Sequence, residues 1–252
     1  NANGNSYYNI LNHGTMTIEE NLSVISSGSF SSLIANGYYS FSDPNPRSGH
    51  VSGTNQAAPS LTINGGTFSG GINTIKNDDN ATLTVNNGSF SNMTQAAIQN
   101  NHVATINGGA FDANAYHAIE NRHFDGGHNT GSVTVTNGVF IGGLYTTTGA
   151  TWNITGGTFS SDPTAYVAEG YITLVNNNTF TVSDTNEIPV TTATVQNYLD
   201  GKYGSINGKT LVLGEGSYEK IEFGRATAYA GSNTEYYLSS TKSTPDAIKQ
   251  DI

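Results

Sequence analysis

The feature that most constrains the fold is a short ending, Gly-x-Phe, which recurs six times in the 252-residue chain. The six copies end at Phe30, Phe68, Phe90, Phe111, Phe140 and Phe159. An alternating strand such as Leu61-Thr62-Ile63 precedes five of them, and its first and third residues share one face. The step from Phe68 to Phe90 is 22 residues and the step from Phe90 to Phe111 is 21. Near-constant spacing of this kind indicates a repeat architecture.

A second recurring element is an Ile followed two residues later by an Asn. The pairs are Ile10/Asn12, Ile34/Asn36, Ile75/Asn77, Ile98/Asn100 and Ile119/Asn121. Equal parity places both residues of a pair on the inner face, where the amide can bond backbone groups left unpaired at a bend. Three short strands per repeat, stacked in parallel at about 4.8 Å, predict a parallel β-helix (β-solenoid). A β-sandwich does not need near-identical inward residues every 21 or 22 positions, and a propeller blade is about twice as long.

The composition agrees with an all-β fold and excludes several partners. Gly is abundant, charged residues make up only 11% of the chain, Cys is absent and the formal net charge is -10. An acidic chain lacks the clustered cations that bind nucleic acid, so no nucleic-acid partner is expected. No apolar run approaches the roughly 20 residues that span a bilayer, so membrane insertion is not expected either. No tight ligand motif such as H-E-x-x-H occurs, and we expect neither a cofactor nor a metal.

The pattern changes toward the C-terminus and predicts two domains. We place parallel β-helix repeats in residues 1–190 and a smaller β-rich unit with short helices in residues 191–252. The segment TTATVQNYLDG predicts a short helix, and KTLVLGEGSYEKIEF begins a new alternating β unit. Six of the nine Lys and Arg residues lie in the last 51 residues, which supports the boundary. The final STPDAIKQDI starts like a capped helix and stops, so we expect a piece of a larger multidomain chain.

The GGTFS punctuation, the Ile-x-Asn bends and the closing GGTFSSDPTAYVAEGY (156–171) resemble a known family. They look like the pectate-lyase-like, right-handed parallel β-helix repeats of large surface or secreted proteins of gut Gram-positive bacteria. The likeness covers residues 10–171. It implies a right-handed helix and an extracellular or cell-surface location, and the family includes both adhesins and polysaccharide-degrading enzymes.

Variation between repeats indicates one functional edge. After the inward Asn the next strand follows within a few residues in two repeats, but only after long insertions at 37–60 and 122–132 in two others. Insertions at equivalent positions of a repeat protein project from one edge and often form its binding surface. The candidate binding residues on this edge are Tyr38, Tyr39, Arg47, His50, Asp79, His102, Arg122, His123 and His128. In register, we expect Asp79, His102 and His123 to lie one above another, beside a column of Asp78, Asn101 and Arg122.

These observations favour a non-enzymatic cell-surface adhesin or binding module. Its loops would face a host protein, such as mucin or immunoglobulin, or a glycan, and no catalytic residue is expected. The alternative is a carbohydrate-active enzyme of the same fold, either a polysaccharide lyase or a glycoside hydrolase. Its candidate catalytic residues are Asp78, Asp79, His102, Arg122 and His123. A passive structural stalk is the third possibility.

Overall fold

The computed structural model describes residues 8–37, 57–123, 130–176 and 178–184, together with four short strands between residues 209 and 239. The chain divides into two compact units, residues 1–161 and 162–252. This division falls earlier than the predicted boundary near residue 190. Because residues 185–208 lie outside the described part of the chain, the boundary near 190 stays a prediction.

Short strands dominate the described part of the first unit. Their bounds are β1 Ile10–Asn12, β2 Thr15–Ile18, β3 Ser23–Ile25, β4 Ile34–Asn36, β5 Ser60–Ile63, β6 Thr67–Ser69, β7 Asn73–Asn77, β8 Thr82–Val85, β9 Ser89–Ser91, β10 Ala96–Asn100, β11 Val103–Ile106, β12 Ala110–Asn121, β13 Ser132–Val135, β14 Val139–Thr146, β15 Thr151–Ile154 and β16 Thr158–Phe159. One sheet runs β2-β5-β8-β11-β13-β15 and another runs β1-β4-β7-β10-β12-β14-β16. Strands β3, β6 and β9 join the second sheet through β12. Every ladder among these strands is parallel, so the predicted all-β class with parallel sheets is confirmed.

The alternation read from the sequence decides which side chains are buried. In β8, Leu83 and Val85 are buried while Thr82 and Thr84 are half-buried, and β5, β11 and β13 repeat the same pattern. Side chains alternate between the two faces of a strand, so each four-residue strand contributes two residues to the core. Because the repeats pair in register, each buried residue lies against its counterpart in the next repeat.

The repeated phenylalanines form a continuous buried stack. Successive ring centroids from Phe68 to Phe159 lie 5.1, 4.9, 5.0 and 4.7 Å apart, and the ring planes differ by 10° or less. These distances match the spacing of paired strands, so in-register pairing imposes the stacking. The predicted interior stack of Phe68, Phe90 and Phe111 is therefore confirmed.

Phe30 does not belong to this stack. It is 66% exposed, and the position below Phe68 is occupied by Val24 of β3. The letters SSGSF match the motif, but the first repeat reaches this position six residues earlier, in the strand that follows Leu22. Strand pairing, rather than the motif, sets the register here.

The inward asparagines form a ladder along one corner of five successive repeats. Each side-chain amide donates to the next asparagine: Asn12 to Asn36, Asn36 to Asn77, Asn77 to Asn100, and Asn100 to Asn121, at 2.7–3.0 Å. Each also donates to the backbone carbonyl of the first residue of a strand in the following repeat. These carbonyls belong to Ser60, Thr82, Val103, Ser132 and Thr151. The predicted structural role of the asparagine column is thus confirmed.

The backbone conformation explains why a glycine occurs in each Gly-x-Phe motif of the stack. Gly88 has φ +128°, and an added Cβ would lie 3.0 Å from Cζ of the Phe90 ring. Positive φ at this turn favours glycine, and the missing side chain leaves room for the ring. The equivalent glycines at 66, 109, 138 and 157 also have positive φ.

The described strands of the second unit are antiparallel. A 3-10 helix at Thr164–Tyr166 precedes β17 Tyr171–Asn176, which pairs with β18 Thr179–Asp184. Farther along, β19 Lys209–Leu211 pairs with β20 Ile221–Phe223, and β21 Thr227–Ala230 pairs with β22 Tyr236–Ser239. The helix predicted for TTATVQNYLDG lies outside the described residues. Within the described segments no helix has the length and apolarity needed to cross a membrane.

Candidate functional site

Both long insertions leave the first unit at equivalent positions. Asn36 pairs with Asn77, and Ser60 pairs with Thr82, so residues 37–59 replace a corner that needs only residues 78–81 in the next repeat. By the same pairing, residues 122–131 replace a corner that needs only residues 101–102 in the repeat before. The corner that follows each inward asparagine is therefore where the repeats differ most in length.

One of the two predicted columns at this corner is present. The backbone N–H groups of Asp78, Asn101 and Arg122 each donate to the carbonyl of the inward asparagine one repeat earlier, at 2.8 Å. The side chains of the first two members are joined directly, because Asn101 Nδ2 donates to Asp78 Oδ1 at 3.1 Å. Asp78 and Asn101 are both buried.

The other predicted column, Asp79 with His102 and His123, is wrong in its register. Four residues separate Asn77 from the next strand, whereas two residues do so in the following repeat, and His102 consequently lies beside Ala81. Its Nδ1 is 3.1 Å from the Ala81 carbonyl. His123 forms a β-bridge with Thr130, with 2.9 Å between His123 Nδ1 and the threonine hydroxyl. Counting outward from the inward asparagines ignores this difference in corner length, and it therefore predicted Asp79 rather than Ala81 as the neighbour of His102.

Six side chains instead form what we call the polar lattice, across β7, β10 and β12 and the corners that follow them. One column contains Lys76, Gln99 and Glu120, and the column two residues along the chain contains Asp78, Asn101 and Arg122. From one repeat to the next, the first column runs from a cation through an amide to a carboxylate. The second column runs from a carboxylate through an amide to a cation. Lys76 Nζ is 3.0 Å from Asp78 Oδ1, and Arg122 Nη2 is 2.6 Å from Glu120 Oε2.

Each amide of the polar lattice bonds the carboxylate of one ion pair. Gln99 Nε2 donates to Glu120 Oε2 at 3.2 Å, while Asn101 Nδ2 donates in the opposite direction, to Asp78. Each amide thus points its N–H group at a carboxylate and its carbonyl end away from that carboxylate. These contacts therefore form two groups of three side chains, Lys76 with Asp78 and Asn101, and Gln99 with Glu120 and Arg122.

Glu120 is the most heavily bonded residue of the polar lattice. It is only 2% exposed, and its carboxylate accepts hydrogen bonds from Gln95 at 2.8 Å and from Arg122 Nε at 2.9 Å, besides those from Gln99 and Arg122 Nη2. His117 Nδ1 lies 2.8 Å from the other carboxylate oxygen. Burial alone would raise the pKa of Glu120. The hydrogen bond from Gln95, the charge of Arg122 and the bonds from Gln99 and Arg122 outweigh burial and lower that pKa.

The lattice ends at an aromatic surface on β14. Tyr145 pairs with Glu120 across the ladder, and Arg122 Cζ lies 5.6 Å from the centroid of the tyrosine ring. The His117 ring is 5.3 Å from the same centroid, tilted by 36°. We call His117, Arg122 and Tyr145 the aromatic platform. Tyr145 is 41% exposed, and the side chains of His117 and Arg122 are 37% and 25% exposed.

The charge of Asp78 affects residues of the first repeat. Asp78 Oδ2 is buried and has no hydrogen-bond partner among the described residues. Burial, and then the charge of Asp78, raise the pKa of Tyr8 above its usual value. Burial lowers the pKa of His13, although a hydrogen bond to the Gly37 backbone and the charge of Asp78 oppose that effect.

Glu120 does not have the properties of a general acid that works near neutral pH. A general acid near neutral pH needs a raised pKa, whereas the Glu120 pKa is lowered and its carboxylate is already occupied by donors. Among the candidate catalytic residues, His102 lies beside Ala81 and His123 lies beside Thr130. Within the described segments, no three His, Asp or Glu side chains are grouped so as to hold a metal ion.

Sequence reasoning selected Asp78 and Arg122 but missed Lys76, Gln99 and Glu120. The missed residues share one signal, because each stands between the Ile and the Asn of an Ile-x-Asn bend. Alternation places that position on the outer face, where a run of Lys, Gln and Glu in successive repeats is open to pairing. Aligning the middle residues of successive Ile-x-Asn bends would have predicted one column of the lattice. Tyr38, Tyr39, Arg47, His50 and His128 lie outside the described residues.

Comparison of the chain with protein-family models, with curated proteins and with solved structures gave no match.

Proposed function

We propose that the chain is a right-handed parallel β-helix that acts as a non-enzymatic binding module on a bacterial cell surface. Its ligand is a host protein, such as mucin or immunoglobulin, or a glycan. The carrying observation is that two long insertions leave from equivalent corners beside a polar lattice whose two carboxylates are buried and ion-paired. A rigid base with variable loops at one edge is typical of repeat proteins that bind through their loops.

The β-helix part of the proposal has its own support. Three strands per repeat pair in register with the next repeat, and the phenylalanine stack and asparagine ladder run through the same repeats. The right hand and the surface location come from the resemblance of the repeats to those of Gram-positive surface proteins. Connections between parallel strands are right-handed in almost all cases, which agrees with that hand.

Charge favours neutral or weakly charged ligands at this edge. The lattice contains two carboxylates and two cations, and each carboxylate lies within 3.0 Å of one of those cations. Binding through such a surface depends on shape and hydrogen bonds more than on long-range attraction, so we expect a weak dependence on salt.

The test exchanges long corners for a short one. Residues 37–59 are replaced by the Asp-Asp-Asn-Ala corner of residues 78–81, and in a second variant residues 124–129 are replaced by Gly-Gly. Both variants and the parent chain are assayed against immobilised immunoglobulin, purified mucin and a glycan array. We expect the parent to bind at least one of these probes and at least one exchange to abolish binding without loss of folding.

A parallel assay follows the release of reducing ends and unsaturated products from plant and host polysaccharides. Turnover by the parent chain that disappears in Asp79→Ala with His123→Ala would support the carbohydrate-active enzyme and contradict the binding module. Absence of both binding and turnover would favour the passive stalk.

A further inference from the structure

One turn position of the first unit alternates between glycine and asparagine. It directly precedes the positive-φ glycine of each Gly-x-Phe motif in the stack, and successive repeats have Gly65, Asn87, Gly108, Asn137 and Gly156 there. A Cβ added at Gly108 or Gly156 would lie 2.7 or 2.1 Å from a backbone oxygen of the preceding repeat, so a side chain is excluded at these two positions. The turns at 87 and 137 accommodate an asparagine, and both asparagines are exposed.

The side-chain amide of each of these asparagines is held against the next backbone nitrogen. Gly88 N donates a hydrogen bond to Asn87 Oδ1 at 2.9 Å, and Gly138 N donates to Asn137 Oδ1 at 2.8 Å. Because Oδ1 is bonded to Cγ, the glycine nitrogen lies beside the amide carbon. Reactions are promoted when two reacting atoms are held about 3–3.5 Å apart, and a glycine has no side chain to shield its nitrogen.

We propose that Asn87 and Asn137 are sites of self-modification, at which asparagine converts to isoaspartate or aspartate through a cyclic imide. The Gly88 nitrogen attacks Asn87 Cγ, so that an N–Cγ bond forms and the Cγ–Nδ2 bond breaks. The proton of the Gly88 nitrogen passes through water to the departing nitrogen, which leaves as ammonia. Water then opens the imide at either carbonyl, with no change of oxidation state. This inference goes beyond the proposed binding function and does not depend on it.

Two other asparagines of the same turns are also followed by glycine but are held differently. Asn107 Nδ2 donates to Asn86 Oδ1 at 2.9 Å, and Asn107 Oδ1 accepts from the Thr136 hydroxyl at 3.2 Å. Asn64 Nδ2 donates to Glu19 Oε2 at 2.9 Å, and Asn64 Oδ1 accepts from Asn86 at 2.8 Å. Both ends of each amide are thus bonded to neighbouring repeats, and turning Cγ toward the following nitrogen would break both bonds.

The inward Asn36, which precedes Gly37, is the most protected asparagine of this kind. It is fully buried and donates to Asn77 Oδ1 and to the Thr82 carbonyl. The same dipeptide should therefore react fastest at 87 and 137, more slowly at 64 and 107, and slowest at 36. Exposure alone does not give this order, because Asn107 is as openly placed as Asn87.

The modification changes both charge and backbone length at the turn. Each conversion replaces a neutral amide with a carboxylate, which adds to the net charge of -10. In isoaspartate the main chain passes through the former side chain, so the turn before the buried ring of Phe90 or Phe140 becomes longer by one methylene group. Close-packed interiors respond to changes of this size, so the modified chain should unfold at a lower denaturant concentration.

The experiment follows the full chain in mildly alkaline buffer, folded and in guanidinium chloride, by mass spectrometry of its peptides over time. In the folded chain, we expect Asn87 and Asn137 to gain one mass unit at least about tenfold faster than Asn107. In guanidinium chloride the rates should be similar, because each asparagine is followed by glycine. Electron-transfer fragmentation locates the modified residue and distinguishes isoaspartate, which requires the cyclic imide, from the aspartate that direct hydrolysis gives.

Asn86→Ala is the matched variant, because it removes a bonding partner of Asn107 and leaves the Asn137 turn intact. It should raise the rate at Asn107 severalfold without changing the rate at Asn137, and an unchanged rate at Asn107 would overturn the role given to the amide ladder. Equal rates at Asn87 and Asn107 in the folded chain, or products that contain aspartate only, would overturn the proposal. It would also fail if the tenfold difference persisted in guanidinium chloride, since sequence rather than geometry would then set the rates.

Discussion

At the scale of single residues, the Phe90 ring shows how repetition stabilises the core. It is fully buried between Phe68 and Phe111, with centroids 5.1 and 4.9 Å away. Phe90→Ala should leave a cavity and lower the free energy of unfolding by about 3–5 kcal/mol. Phe30→Ala is the control, since Phe30 is 66% exposed, and it should change stability by less than about 0.5 kcal/mol. Urea unfolding followed by circular dichroism measures both, and equal effects would contradict the register.

The asparagine ladder offers a second matched pair. Asn77 donates to Asn100 Oδ1 and to two backbone carbonyls and accepts from Asn36, all in buried or partly buried surroundings. Asn86 stands in a similar amide ladder, between Asn64 and Asn107, but on the exposed surface. We expect Asn77→Ala to lower the free energy of unfolding by at least about 2 kcal/mol, because its partners stay buried without bonds.

Asn86→Ala should cost about 1 kcal/mol or less, since water replaces the lost bonds. Chemical unfolding of the two variants side by side tests this difference. A small effect at Asn77 would mean that the inner ladder is dispensable.

The lowered pKa of Glu120 predicts a pH dependence with a definite sign. A carboxyl group whose pKa is lower in the folded state stabilises the fold above the pKa of the unfolded chain, about 4.3, and loses that contribution as pH falls through the folded value. The stability difference between the parent and Glu120→Gln should therefore be largest at pH 6–7 and shrink below pH 4.3. Thermal unfolding at pH 3–7 measures it, with the exposed Glu20→Gln as control. A difference that grows toward acid would show the opposite pKa shift.

Residues that keep their identity between repeats were predictable, and residues that change identity were not. Phe90 and Asn77 belong to columns of one residue type, so spacing alone places them. Glu120 belongs to a column that reads Lys, Gln, Glu in successive repeats. The ion-pair partners of that column lie in the adjacent column, where the charges follow the opposite order, so both columns must be compared to find them. Phe30 shows the converse, because a matching motif without a paired strand carries no positional information.

At the scale of elements, the turn between β8 and β9 depends on the backbone conformation of one residue. Gly88 has φ +128°, and a Cβ added to it would lie 3.0 Å from the Phe90 ring. Gly88→Ala should therefore destabilise the fold by about 1–3 kcal/mol. Gly14→Ala is a suitable control, since an added Cβ there meets nothing within 4 Å. Unfolding midpoints of the two variants decide the matter, and equal midpoints would contradict a conformational role for Gly88.

Elements also show where sequence register fails. The strands β2, β5, β8, β11, β13 and β15 were predictable because each has four residues that alternate between inward and outward positions. The corners that precede them vary from two residues to more than twenty. Counting outward from Asn77 and from Asn100 gave His102 the wrong neighbour, since the two corners differ by two residues. A corner position is fixed only when it is counted from both adjoining strands.

At the scale of the whole first unit, stability is expected to be the sum of contacts between neighbouring repeats. Each repeat contacts the one before and the one after through paired strands, stacked rings and bonded amides. Such quasi-one-dimensional proteins open locally from weakly paired strands, and central repeats exchange their amides last. The sheet order β2-β5-β8-β11-β13-β15 assigns a different number of paired neighbours to its terminal and central strands.

This order predicts a gradient in hydrogen exchange. Strands β8 and β11 are paired on both sides, whereas β2 is paired on one side only within the described residues. Peptides that cover β8 and β11 should therefore take up deuterium more slowly than peptides that cover β2, because their amides open only when two neighbours separate. Phe90→Ala should accelerate exchange in β8 and β11 far more than in β2, since its cavity lies in the central repeats. Mass spectrometry of pepsin fragments measures both effects. Equal protection of β2 and β11 in the parent chain would mean that the unit unfolds as one cooperative body rather than repeat by repeat.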